Sequence, residues 1–186
     1  MNTILYITSN QNKIDTANRL LKPFNIEIEG LKVEGIVEPQ TEDITEISKM
    51  KAQQAFEKVQ KPLIVSDASW IIPSLNGFPG PYMHFVNKWF TSKDFLNLMK
   101  GKENREIILR ECVTYIDKDN IKTFISDTKG FFVNKAEGKA TPLDQVVSFR
   151  EDGKTIAQCE NENKMRIPQN GLWNDVGKWL KENALE

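Results

Sequence analysis

Residues 62–72 read Pro62-Leu63-Ile64-Val65-Ser66-Asp67-Ala68-Ser69-Trp70-Ile71-Ile72 and lead into the turn Gly77-Phe78-Pro79-Gly80-Pro81-Tyr82. Leu63-Ile64-Val65 is short, apolar and rich in β-branched residues. It is bounded by Pro62 on one side and polar residues on the other, which predicts a buried strand. A lone carboxylate, Asp67, follows it. Burying an unpaired charge is costly, so Asp67 is expected at the strand's terminus, facing a cleft, a cation or a hydrogen-bonding loop. Open α/β sheets place their chemistry there. A strand-ending Asp that merely caps the next turn is the plainer alternative, and these residues alone leave it open.

Upstream, Thr3-Ile4-Leu5-Tyr6-Ile7 is nearly all apolar, as a strand covered on both faces would be. It gives way to Thr8-Ser9-Asn10-Gln11-Asn12-Lys13, and a helix is predicted over 14–21, with Ile14, Ala17, Leu20 and Leu21 on one face and Pro23 as its stop. Such a strand-to-helix handover exposes helix N–H groups, and Lys13 adds a mobile positive charge suited to phosphate. An ordinary N-cap beside a surface lysine is the alternative. Residues 26–33 alternate as an outer strand. The acidic stretch 34–46 then carries Glu34, Glu38, Glu42, Asp43 and Glu46 into a helix predicted over 45–59. Glu38 and Glu46 thus fall just before and inside the first turn of a helix returning to the Asp67 strand. Carboxylates from neighbouring elements can share Mg²⁺, which takes one or two of them and leaves the rest to water and phosphate.

Downstream of Tyr82, the aromatics Phe85, Trp89, Phe90 and Phe95 suit core or a dimer surface, and His84, the single histidine, suits a solvated or packing role. A helix is predicted over 92–100 with Ser92 as its cap. Strands are predicted over 105–116 and 122–132, joined by Asp117-Lys118-Asp119-Asn120. Residues 134–153 read as irregular, 154–158 as a last short strand and 172–185 as a closing helix packing Trp173, Val176, Trp179 and Leu180.

A length of 186 residues is enough for one domain with a core needing no staples, and a net charge of −1 gives no general attraction to nucleic acid or membranes. Any phosphate ligand must be held locally. Cys112 and Cys159 lack metal spacing, no stretch is long and apolar enough to span a bilayer, and polar residues 10–15 break the opening apolar run. The expectation is a cytoplasmic protein without a signal peptide.

Three motifs in order and spacing resemble the inosine triphosphate pyrophosphatase family, enzymes that hydrolyse non-standard purine nucleoside triphosphates to monophosphate and pyrophosphate. They are Thr8-Ser9-Asn10-Gln11-Asn12-Lys13, matching T/S-x-N-x-x-K; Glu38 with Glu46-Ile47-Ser48 and Lys51-Ala52; and Asp67 ten residues before Gly77-Phe78-Pro79-Gly80-Pro81-Tyr82, matching G-x-P-G-x-Y. The resemblance implies a single α/β domain over 1–186, with a long, mixed, twisted sheet flanked by helices and two lobes about a central cleft. It implies Asp67 as the catalytic residue. Thr8, Ser9, Asn10, Lys13, Lys51 and Lys164 would bind substrate, and Glu38, Asp67 and Glu46 would hold Mg²⁺. A nucleoside triphosphate substrate and a homodimer are implied too, the apolar cluster Tyr82, Phe85, Trp89 and Phe90 favouring the latter.

The chain departs from the family pattern in places. Ser66 and Ala68 flank Asp67 where many relatives have an acid and Ser or Thr. Residues 143–152 lack the aromatic F-G-Y/W-D-P base segment. Pro168-Gln169-Asn170 stands for Ser-His-Arg. A relative that keeps the fold and binds nucleotide without turning it over is therefore the rival expectation.

Overall fold

The computed structural model describes residues 2–162 and 167–184. Its elements are β1 (Asn2–Ile7), α1 (Gln11–Leu21), β2 (Ile26–Leu31), α2 (Ile44–Val59), β3 (Leu63–Ile71), β4 (Pro79–Gly80), α3 (Met83–Trp89), α4 (Ser92–Leu98), β5 (Glu106–Ile116), β6 (Ile121–Phe132), β7 (Val147–Ser148), α5 (Ile156–Asn161) and α6 (Leu172–Asn183). They form an α/β fold on one mixed sheet of order β2-β1-β3-β5-β6-β7, with β4 paired to β3. The β1–β2 and β1–β3 pairs are parallel; β3–β4 and β6–β7 are antiparallel. The chain divides into two compact units. One comprises Met1–Asp67, Glu111–Ser126 and Gly171–Glu186, the other Ala68–Arg110 and Asp127–Asn170.

The first unit carries the predicted βαβ opening. Alternation along β1 sends Ile4 and Tyr6 into a core with α1 and α6, through Ala17, Leu21, Val176 and Leu180, while Leu5 and Ile7 pack towards Ala52 and Ala55 of α2. This explains why β1 is apolar from Ile4 to Ile7. Two devices lock α1 onto β2: the Asn18 amide exchanges hydrogen bonds with the backbone of Ile28 at 2.9 and 2.8 Å, and Gly30 leaves the space that Ile14 fills. On α2, the buried Ser48 hydroxyl pairs with Thr114 on β5 at 2.8 Å, which fixes the helix face that also bears Lys51.

In the second unit Phe95, Met99, Ile107, Phe132 and Val147 form the core. The Gly77–Tyr82 turn has positive φ at Gly77 and Gly80 (92° and 61°) and a cis Phe78–Pro79 peptide. Tyr82, Phe85 and Trp89 are exposed, Trp89 by 73%, whereas Phe90 turns inward against Phe95 with ring centroids 5.3 Å apart. His84 is exposed, its ring edge-on to Phe85.

Several expectations need correction. Asp67 lies within β3 and not at its end, because Ala68-Ser69-Trp70-Ile71 continue the strand and Trp70 and Ile71 pair with Gly80 and Pro79 of β4. Residues 154–158 do not form a strand. Thr155 and Gln158 make a reciprocal capping box, side chain to backbone at 3.1 and 3.0 Å, that starts α5 and buries Ile156, Ala157 and Cys159. Thr91, not Ser92, caps α4, again through a box, with Asp94. The stretch 134–153 is not merely irregular, since it holds β7 and gives Leu143, Val146, Val147 and Phe149 to the core.

Candidate active site

The side chains singled out around Asp67 all belong to the first unit, and strand alternation sorts them. On β3, Ile64 packs with β1, α1 and α6, while Val65 packs with α2. Two residues further on, Ser66 must face the α1 side and Asp67 the α2 side. Each meets a lysine. The Lys51 ammonium donates to Asp67 Oδ1 at 2.7 Å and to Glu38 Oε1 at 2.7 Å. The Lys13 ammonium donates to Ser66 Oγ at 3.1 Å, and Ser66 also pairs with the Tyr6 hydroxyl.

Glu38 reaches Lys51 because the Gln54 side chain, one turn further along α2, clasps the backbone of Val37 through two bonds of 2.8 Å. The Lys51–Asp67 contact is enclosed, with side chains 18% and 15% exposed, whereas Glu38 is 65% exposed. Only the first limb escapes full solvent screening. Asp67 Oδ2 is buried without a hydrogen-bond partner among the described residues. Burial pushes the Asp67 carboxyl above its ordinary value, with the charge and hydrogen bond of Lys51 offsetting part of the rise. Burial opposes the charge on Lys51, but Asp67 and Glu38 outweigh it and hold its pKa up. Lys13 is an exposed residue, yet desolvation at its ammonium lowers the pKa, which the attraction of Asp67 opposes.

The expected phosphate loop is more occupied than its sequence suggests. Asn10 caps α1 by accepting from Lys13 N at 3.3 Å, the Asn10 N–H goes to Thr8 Oγ1 at 3.1 Å, and the Thr8 N–H goes to the carbonyls of Tyr6 and Leu31. Ser9 is exposed and has no partner among the described residues. Glu46, in the first turn of α2, accepts from Thr41 at 2.9 Å and does not join Asp67 and Glu38. Lys164 lies outside the described residues. Tyr6 and Ser66 were missed as a pair. No local sequence signal marks the pair: it follows from the parallel pairing of Tyr6 with Ile64, which puts Ser66 on the same face.

Among the described residues no group of three or more His, Cys, Asp or Glu is arranged to hold a metal. A hard divalent cation that takes one or two carboxylates is nonetheless compatible with this donor set: Asp67 has an orphaned buried oxygen and shares Lys51 with Glu38.

This fold is shared with Ham1 proteins. Solved structures from Coxiella burnetii and Staphylococcus aureus superpose with TM-scores of 0.80 and 0.79 at 18% and 19% identity, covering 98% and 97% of this chain and 100% and 99% of theirs. A family model described as the Ham1 family matches residues 4–171, and the chain belongs to that family. A relative from Saccharolobus solfataricus, named dITP/XTP pyrophosphatase, is 34% identical over 161 residues, 86% of this chain and 83% of its own length.

Proposed function

We propose that this chain hydrolyses non-standard purine nucleoside triphosphates, of the dITP and XTP kind, to nucleoside monophosphate and pyrophosphate. The observation that carries the reading is Asp67: an enclosed carboxylate with one oxygen tied to Lys51 and the other buried without a hydrogen-bond partner among the described residues. Oδ2 would orient the attacking water and take its proton. Lys51 fixes the Asp67 rotamer, and Lys13, with the Ser9 backbone and the first turn of α1, would bind phosphate oxygens. Glu38 and Asp67 would hold Mg²⁺, which when bound neutralises phosphate charge and lowers the pKa of water. Glu46, engaged by Thr41, stands outside this set.

Base selectivity is expected to be weak. Asn170 commits an amide N–H to Thr128 at 3.1 Å, and residues 143–149 give their apolar side chains to the core. A preference for inosine over adenosine triphosphate is expected to stay under about a hundredfold, roughly 2.7 kcal/mol. With Mg²⁺ and a panel of inosine, xanthosine, adenosine, guanosine and deoxyuridine triphosphates, the chain should release pyrophosphate. No release from any of them defeats the proposal, and binding without release favours the reading as a nucleotide-binding relative.

The chain is also proposed to work as a homodimer through the exposed Tyr82, Phe85 and Trp89. Light scattering that finds only monomer at micromolar concentration would overturn that. Two buried free thiols, Cys112 and Cys159, suit a reducing cytoplasm.

A further inference from the structure

Lys51 and Lys13 are held by different chemistry. Lys51 touches two carboxylates, so its charge is spent within the protein. Lys13 has no carboxylate within ion-pair distance among the described residues. Its contact is a neutral hydroxyl, Ser66 Oγ at 3.1 Å. Ser66 is itself paired with the Tyr6 hydroxyl, and Tyr6 is 1% exposed, its ring set edge-on to Trp173 with centroids 5.8 Å apart. A rigid buried phenol thus anchors a half-buried serine, which fixes the end of a flexible lysine at the head of α1.

We infer that Tyr6 and Ser66 form a neutral hydroxyl relay that positions Lys13 and presents its ammonium to the substrate's phosphates. That ammonium feels Asp67, Glu111 and Glu38 only through space and has no direct ion pair among the described residues. Ser66 is a positioning residue acting through Lys13. A carboxylate at 66 would hold Lys13 as firmly, but it would neutralise the charge that an anion is meant to meet. A hydroxyl orients without neutralising. The phenol keeps its proton, since burial pushes the Tyr6 pKa up to about 12 with the Ser66 hydrogen bond opposing, so the relay remains neutral over the working pH range. The lysine also loses less rotamer freedom on binding when its end is already placed.

The inference rests on the phosphate-binding role proposed for Lys13, and its test needs no turnover. Binding of a non-hydrolysable α,β-imido inosine triphosphate in EDTA would be followed by calorimetry for the wild type, Tyr6→Phe, Ser66→Ala, Ser66→Thr, Ser66→Asp, Lys13→Ala and the double variant Lys13→Ala/Ser66→Ala. Expected are a roughly tenfold weaker Kd for Ser66→Ala, a few-fold for Tyr6→Phe, rescue by Ser66→Thr and a loss at least as large for Ser66→Asp. In the Lys13→Ala background, Ser66→Ala should have no further effect. Unchanged affinity in Ser66→Ala overturns the relay, as does a loss that persists without Lys13 or a wild type that binds no triphosphate. If the coupling holds while the wild type releases no pyrophosphate, the relay stands and the hydrolytic reading falls.

Discussion

Adjacent residues of β3 build opposite kinds of polar contact. On the α2 side, Asp67 is locked in an enclosed ion pair with Lys51, and Oδ2 is left buried without a partner among the described residues. On the α1 side, Ser66 gathers a phenol and an ammonium onto one neutral hydroxyl. Strand alternation, which sends neighbours to opposite faces, is what separates them. The contrast suggests a division of labour. In the proposed reading, the charged side prepares a base, and the neutral side leaves a cation available for an anionic substrate.

The sharpest way to break this division is to change Asp67. Asp67→Asn keeps the shape and removes the base, and turnover is expected to fall about a thousandfold, roughly 4 kcal/mol of barrier, in a pyrophosphate-release assay. Lys51→Met comes next. It leaves Asp67 enclosed without its cation, so turnover should drop on the order of a hundredfold. Urea unfolding should show a loss of about 2 kcal/mol, below the full figure for a buried pair because both side chains keep some exposure. A Lys51→Met protein as stable and active as the wild type would show the ion pair to be ornamental.

The smallest effect concerns how α2 is started. Asp43 caps it by accepting from Thr45 N at 2.8 Å and from the Thr45 hydroxyl at 2.7 Å, and these bonds hold its carboxyl below the usual range. Asp43→Ala should cost about 1 kcal/mol at neutral pH. A depressed carboxyl stabilises the fold above its unfolded value of about 4 and loses that contribution as pH falls through the folded value. The gap between wild type and Asp43→Ala in urea midpoints should therefore be full at pH 7 and shrink below about pH 4. A gap that widens in acid would contradict the sign.

Much of this was legible in the sequence because its signals are local. The apolar run of β1, the breaks at Pro23 and Gly77, and the turn at 117–120, where Asp117 N donates to Asn120 O at 3.0 Å, all follow from short patterns. Lys13, Glu38, Lys51 and Asp67 also stood out, through the spacing of their motifs. What was hidden depends on pairing across the fold. Asp67 reads as strand-terminal because Ser66, Asp67 and Ser69 mask the strand's continuation, which becomes apparent only once β4 supplies partners. Glu46 resembles a ligand in sequence, yet Thr41 engages it. The Ser66–Tyr6 contact joins residues 60 apart, so no single stretch announces it. The start of α5, by contrast, is written locally, since Thr155-x-x-Gln158 is a capping-box signature that outweighs the strand-like pattern of 154–158.

The division between Asp67 and Ser66 is tested most directly by measuring two quantities on one preparation of Asp67→Asn: pyrophosphate release with Mg²⁺, and the Kd for a non-hydrolysable triphosphate in EDTA. The account predicts a turnover about a thousandfold lower with a Kd within about threefold of the wild type. A loss of affinity as large as the loss of turnover would contradict it, since Asp67 would then be part of the substrate's binding surface and not its base.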